Sequence, residues 1–441
     1  MPKAVVSLAL DTTLTTMRRI RPPGMKGGGR AIKAATTAAT TTSRSITARR
    51  GTPNSSGRRA AVDFGRTRRT AAASASSSSC LGDNADDDKD DDDDEALAVE
   101  RKTNAKDVSR GATRGAISGC EYEVIRVRGR SSGSSGPRFS DATVARSKVM
   151  KVFVIPGNPG VPAYYEHFAM RLCEKLTART GAEKDVEVEI VGYLGHTVKE
   201  RFGRNEWFTL QEQKEHVRAH VRESLAANGG NAVVEAVIVG HSIGAHLALD
   251  AMKALGSDSI RSVVGLMPFL HVNTQSPTQK MLGFVTRLSL LVHAIGKTLD
   301  FIGAELKRKL LANTVSKEMD ARAAVITSSW LRWQSLINMV FMGRTEFEHL
   351  LTPIDDCDLV RNACEKKSLS LVYCQGDHWA PLHQRDVAAK MNVPVQSIED
   401  VSVRHDFVVK DDSSASVADI TAALLSGQLD GKPLSSSSTK P

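Results

Sequence analysis

Cysteine is scarce and unpatterned. The six, at 80, 120, 173, 357, 364 and 374, include no Cys-x-x-Cys pair, which excludes the common zinc and redox motifs and leaves no disulfide framework. Free thiols in a reducing compartment are expected, with no metal and no cofactor. No run reaches the roughly 18 apolar residues of a spanning helix, so no transmembrane helix is expected and membrane contact must be peripheral. Acids are almost missing from residues 1–80, where 15 Lys or Arg face only Asp11 and Asp63. That segment is +13 and the other 361 residues are −4, so the basic pI belongs to the tail. Phe64 is its lone aromatic, too little for base stacking, and no nucleic-acid partner is expected. The glycine-rich Met25–Arg30 lacks the preceding strand and the Gly-Lys-Ser/Thr ending of a phosphate loop.

What is present divides the chain. Residues 1–117 are rich in Ser, Thr, Ala, Gly and Arg with few large apolar groups, and are expected to be a disordered extension, basic and then acidic through Asp83–Glu95. An Arg- and Ser-rich, acid-poor start also fits an organelle transit peptide, with a plain low-complexity extension as the rival. The folded domain is expected over 118–428, followed by a frayed tail, 429–441.

Within that domain, strand-like and helix-like stretches alternate. Glu121–Val127 reads as a first, edge-type strand, and Arg130–Ser140 as a flexible loop. Val149–Ile155 and Val233–Val239 read as buried strands, Ser262–Met267 as an apolar one, and Val186–Val191, Ser368–Cys374 and Val393–Ile398 as strands. Helices are expected at Tyr164–Leu176, Leu210–Ala227, after residue 243, and at Val417–Leu425. This predicts an α/β fold, a mostly parallel sheet covered by helices on both faces. Residues 269–367 interrupt the alternation as a helical insertion. Val285, Leu288, Val292, Ile295, Leu299, Ile302 and Leu306 recur there at helical spacing, with Leu290, Leu291 and Phe301 widening the face. That face either packs on the core or serves as a lid or interfacial patch over 282–310, with Lys307-Arg-Lys309 toward lipid headgroups.

The chemistry centres on Gly240-His-Ser-Ile-Gly244, between a buried strand and an Ala/Leu-rich helix. A G-x-S-x-G turn in that setting is a nucleophile elbow exposing Ser242. A serine hydroxyl needs a histidine to take its proton and a carboxylate to orient that histidine. In the chain order of an α/β-hydrolase fold these follow the serine, which points to Asp377 just beyond a strand and to His405 in the loop after the next strand. His378 and His383 remain rival bases. The oxyanion donors are expected to be the backbone N–H groups of Ile243 and of Asn158 in Pro156-Gly-Asn-Pro-Gly160.

Four motifs in order, Pro156–Gly160 before Tyr164-Tyr165, Gly240–Gly244, Gly376-Asp-His-Trp-Ala-Pro381 and His405-Asp-Phe-Val408, resemble the lipid droplet-associated hydrolase family over about 150–425. The resemblance implies an α/β-hydrolase fold with a helical insertion, and a nucleophile, acid and base at Ser242, Asp377 and His405. It also implies a lipid ester substrate, sterol ester or acylglycerol, and a lipid droplet or endoplasmic reticulum surface. A plastid or mitochondrion is the alternative location if residues 1–80 are a transit peptide. Two other roles stay open, a droplet-organising protein with an idle triad and an acyltransferase using the same acyl-enzyme.

Overall fold

The computed structural model describes residues 106–114, 120–129, 148–180, 184–197, 207–227, 233–287, 289–303, 305–309 and 318–429. Its strands are β1 (Lys106–Arg114), β2 (Glu121–Gly129), β3 (Lys148–Ile155), β4 (Lys184–Val191), β5 (Val233–His241), β6 (Ser262–Leu266), β7 (Leu369–Cys374) and β8 (Val395–Ile398). They form one sheet in the order β1-β2-β4-β3-β5-β6-β7-β8. The first two pairings are antiparallel and the other five parallel. The helices are α1 (Glu166–Thr180), α2 (Leu210–Ala227), α3 (Ile243–Leu255), α4 (Pro277–Val285), α5 (Ser289–Asp300), α6 (Ala321–Trp330), α7 (Trp333–His349), α8 (Asp358–Glu365), α9 (Leu382–Lys390) and α10 (Asp411–Leu429).

Both faces of the sheet are covered, which is why its central strands read as continuous apolar runs. Alternate residues of β3 show the division: Val152 and Val154 enter one core with Phe168 and Leu172 of α1 and Val417 of α10. Phe153 and Ile155 enter the other, with Val217 of α2, Leu247 of α3 and Val360 of α8. A mostly parallel sheet in this order, with a serine turn leading from β5 into α3, is the α/β-hydrolase fold.

Two expectations change. The sheet begins before residue 118, because β1 pairs with β2 along its length. Asp107, Ser109 and Arg110 of β1 are exposed, and among its described side chains only Val108 packs on the core, so this polar edge strand carries too little apolar alternation to show in the sequence. β2 is therefore an inner strand. The rest of the expected extension, the Arg130–Ser140 loop and the tail beyond Leu429 lie outside the described residues.

The insertion between β6 and β7 is helical, α4 to α8, and the apolar stripe is divided between helices, since α4 ends at Val285 and α5 at Asp300. Gly296 seats α5 on α7: a Cβ there would lie 2.6 Å from the Trp333 ring. Ile302 packs on the core, whereas Phe301 is 90% exposed. Leu288 and the side chains of Leu290, Leu291, Val292, Ile295 and Leu299 lie outside the described residues. Lys307 also departs from its expected place at a lipid headgroup. It is buried, and its Nζ donates to the Leu331 carbonyl at 3.0 Å, because the long apolar stem is more stable packed than exposed.

One polar row crosses the sheet. Lys151 of β3 lies 2.8 Å from Glu187 and 2.9 Å from Glu189 of β4, and these carboxylates also meet Arg128 and Arg126 of β2. From α2, His220 and Ser224 complete the shell of Glu189. Burial alone would raise the Glu189 carboxyl, but His220, Lys151 and Arg126 hold it well below the usual carboxylate range. Replacing the central cation by Lys151→Met is expected to cost about 3 kcal/mol of stability, measured by urea unfolding. An unchanged midpoint would mean that the arginines and His220 satisfy both carboxylates unaided.

Candidate active site

Ser242 stands between β5 and α3 with φ 55° and ψ −124°, a backbone conformation that L-residues avoid and that surrounding structure must hold. Its N–H donates to the Leu266 carbonyl at 3.0 Å, and its carbonyl accepts from Ala245 at 3.1 Å and Phe269 at 3.0 Å. The flanking glycines are steric requirements. A Cβ on Gly240 would come within 2.4 Å of the Gly244 carbonyl oxygen, and one on Gly244 within 2.2 Å of that of Ile155.

Three of the residues expected from the sequence meet here. His405 Nε2 lies 2.9 Å from Ser242 Oγ, and His405 Nδ1 lies 2.7 Å from Asp377 Oδ2. Asp377 Oδ1 accepts from the Trp379 N–H at 2.8 Å. Burial alone would raise the Asp377 carboxyl, but the His405 charge and hydrogen bond, with the N–H groups of Trp379 and Ala380, hold it below its ordinary value. Ionised Asp377 accepts from Nδ1–H, leaving Nε2 to face the hydroxyl. Of the rival bases, His383 is exposed and His378 stands against Trp379, their ring centroids 5.3 Å apart.

A cavity of about 120 Å³ opens over Ser242. The Pro156–Gly160 loop forms one wall and abuts the serine, since a Cβ on Gly157 would lie 3.1 Å from Ser242 Cβ. Asn158 lines the cavity, and Ile243 opens α3, where a first-turn N–H has no intrahelical acceptor.

Sequence reasoning missed two supports. His241 Nε2 lies 2.8 Å from the His405 carbonyl oxygen, which only accepts, so Nε2 carries the proton. Its Nδ1 then accepts from Tyr165 Oη at 2.6 Å, and Tyr165 Oη accepts from the Gly157 N–H at 2.7 Å. Burial, and then the His405 charge, push His241 down to about 3, so the ring stays neutral. The chain of bonds joins the loop of the general-base candidate to the loop opposite it. The second support is Glu346 on α7, which lines the cavity and accepts from Asn158 Nδ2 at 3.0 Å. Burial pushes its carboxyl up to about 8, although the bond from Asn158 acts the other way. His241 and Tyr165 lie in motifs but their bonds to distant loops leave no trace there, and Glu346 lies in none: a carboxylate inside an amphipathic helix reads as solvated.

At the rim, α4 turns Leu282 and Val285 into the cavity, while Met281 and Phe284 are 52% and 62% exposed. No helix among the described residues is long and apolar enough to cross a membrane.

The signature of a family described as lipid-droplet associated hydrolase matches residues 148–408. The lipid droplet-associated hydrolase of Dictyostelium discoideum is 25% identical over 266 residues, 59% of this chain and 83% of that one. That of Gallus gallus is 24% identical over 274 residues, 58% and 79% of the two chains. Among solved structures, a haloalkane dehalogenase loop variant from Bradyrhizobium elkanii is similar at 11% identity and a TM-score of 0.47, over 74% of this chain and 98% of that one. With more than half of its residues inside the family signature, and an α/β-hydrolase sheet carrying a serine elbow, this chain belongs to the lipid-droplet associated hydrolase family.

Proposed function

We propose that this protein is a serine ester hydrolase acting on neutral-lipid esters at the surface of lipid droplets. One observation carries the reading: the unbroken hydrogen-bonded line from Ser242 Oγ through His405 to Asp377. In the proposed cycle Ser242 Oγ attacks the ester carbonyl carbon while His405 Nε2 takes its proton. The tetrahedral oxyanion is held by the N–H groups of Ile243 and Asn158, each such donor being worth about 3 kcal/mol of barrier. His405 then protonates the departing alkoxide, which leaves an acyl-serine. Water attacks that acyl carbon, gives its proton to His405, and releases the acid as the proton returns to Ser242. Asp377 stays ionised and stabilises the imidazolium in both halves.

The lipid-surface part of the proposal rests on α4, whose two faces meet the cavity and the solvent with apolar side chains. Laid on a droplet, Met281 and Phe284 bury in lipid while Leu282 and Val285 line the way to Ser242. The family names point to the same surface.

Three outcomes are expected. A fluorophosphonate labels the wild type but not Ser242→Ala, and ester turnover disappears with the label; an unlabelled, folded wild type would end the esterase reading. Tyr165→Phe removes the hydroxyl that joins Gly157 to His241, and kcat is expected to fall about ten- to a hundredfold with KM little changed. Equal kcat values would reduce Tyr165 to a packing residue. For the surface, Met281→Ser with Phe284→Ser should weaken binding to triacylglycerol emulsions by at least about tenfold, with circular dichroism as the folding control. Unaltered flotation with the emulsion would place the docking face elsewhere.

A further inference from the structure

Most of the cavity wall is hydrocarbon, from Phe269, Leu282, Val285, Val340, Phe347 and Trp379, which suits an acyl chain. One corner does not fit that description. Asn158 Nδ2 donates to the Met339 carbonyl at 2.9 Å and to Glu346 Oε1 at 3.0 Å. Because the Met339 carbonyl only accepts, the amide orientation is set, and Oδ1 is left buried with no hydrogen-bond partner among the described residues. Glu346 is buried beside it on α7, 5% exposed, and forms no ion pair among the described residues. A carboxyl so placed retains its proton at neutral pH, consistent with its rise to about 8. Asn158 and Glu346 both line the cavity over Ser242, so this corner combines an unpaired acceptor, Asn158 Oδ1, with a protonated carboxyl, Glu346.

A hydroxyl is the neutral group that matches both, since it donates one hydrogen bond and accepts another. An ester carbonyl or ether oxygen only accepts, and an ammonium only donates. We infer that Glu346 and Asn158 bind a free hydroxyl carried by the ester substrate, so that the pocket selects hydroxyl-bearing esters, the class of partial acylglycerols, over fully substituted ones. The inference rests on the esterase reading above and narrows its substrate. Discrimination of this kind is strong because the analogue without the hydroxyl leaves buried polar groups unpaired.

The test uses ethers, which this chemistry does not cleave, and so reads binding separately from turnover. Dissociation constants of 1-O-dodecylglycerol and of dodecyl propyl ether, the same skeleton without hydroxyls, are measured below their micellar range on the full chain. The preference for the glycerol ether is expected to be about tenfold greater in the wild type than in Glu346→Leu, the size of one buried hydrogen bond. Glu346→Gln, which keeps a donor and a carbonyl in place, should retain most of it. If the leucine variant misfolds, Asn158→Ala supplies the same comparison from the acceptor side. Equal preference in wild type and variants overturns the inference and means that the corner holds water only. Fluorophosphonate labelling of the same preparations separates the two readings. A labelled protein without the preference overturns the hydroxyl site alone, and an unlabelled one with the preference overturns the esterase alone.

Discussion

Two neighbouring strand ends approach one another so closely that no side chain fits between them, and the site depends on that contact. A Cβ on Gly244 would lie 2.2 Å and 2.4 Å from the carbonyl oxygens of Ile155 and Pro156. β3 and β5 are parallel neighbours, with Ile155 opposite Gly240. The end of one carries the Pro156–Gly160 loop, and the end of the other carries Ser242. Closing that gap places the Pro156–Gly160 loop beside the serine, whose positive φ is held by hydrogen bonds to Leu266 and Phe269. The strain is local, and the parallel sheet supplies the rigidity that bears it.

The turn Gly240–Gly244 also binds the rest of the site together. His241 bonds to Tyr165 and to the His405 backbone, so the residue before the serine ties down the loop that carries His405. Its role needs one tautomer and no charge, and burial secures both, since an imidazolium there would lose its solvent and face His405. Asp377 obeys the opposite logic. Its burial is outweighed by His405 and two backbone N–H groups, so it keeps its charge where His241 gives up its own.

Much of this was legible in the sequence because the constraints are local. A serine at positive φ between two close backbones requires small neighbours, and Gly240 and Gly244 record that requirement. Strands buried on both faces need mostly apolar residues, and β3, β5, β6 and β7 show them, Lys151 apart where the buried ion pairs take it up. Chain order pointed to Asp377 and His405, and the structure brings both into one hydrogen-bonded line with Ser242, from loops at later strand ends. What stayed hidden depends on distant contacts. β1 is a polar edge whose stability comes from pairing with β2. Lys307 looked like a headgroup ligand until the Leu331 carbonyl accounted for it. Tyr165 and Glu346 take their meaning from atoms 76 and 188 residues away in the chain, and no periodicity encodes such a partner.

Glu346 also makes the fold bear a cost. In the unfolded chain its carboxyl ionises near the ordinary value of 4.5, whereas in the folded chain it does so only near about 8. Between those values the native state holds a proton that the unfolded state has released, so its contribution to stability is complete below about 4.5 and falls as pH rises toward 8. Each unit of that interval is worth about 1.4 kcal/mol. An apolar residue at position 346 would avoid this loss and would match the hydrocarbon lining around it. Among the described residues the carboxyl has no cation beside it and a single hydrogen bond, from Asn158, so packing alone does not account for it. A neutral acid in the cavity over Ser242 is a hydrogen-bond donor, and the same burial that weakens the fold keeps the group from ionising there.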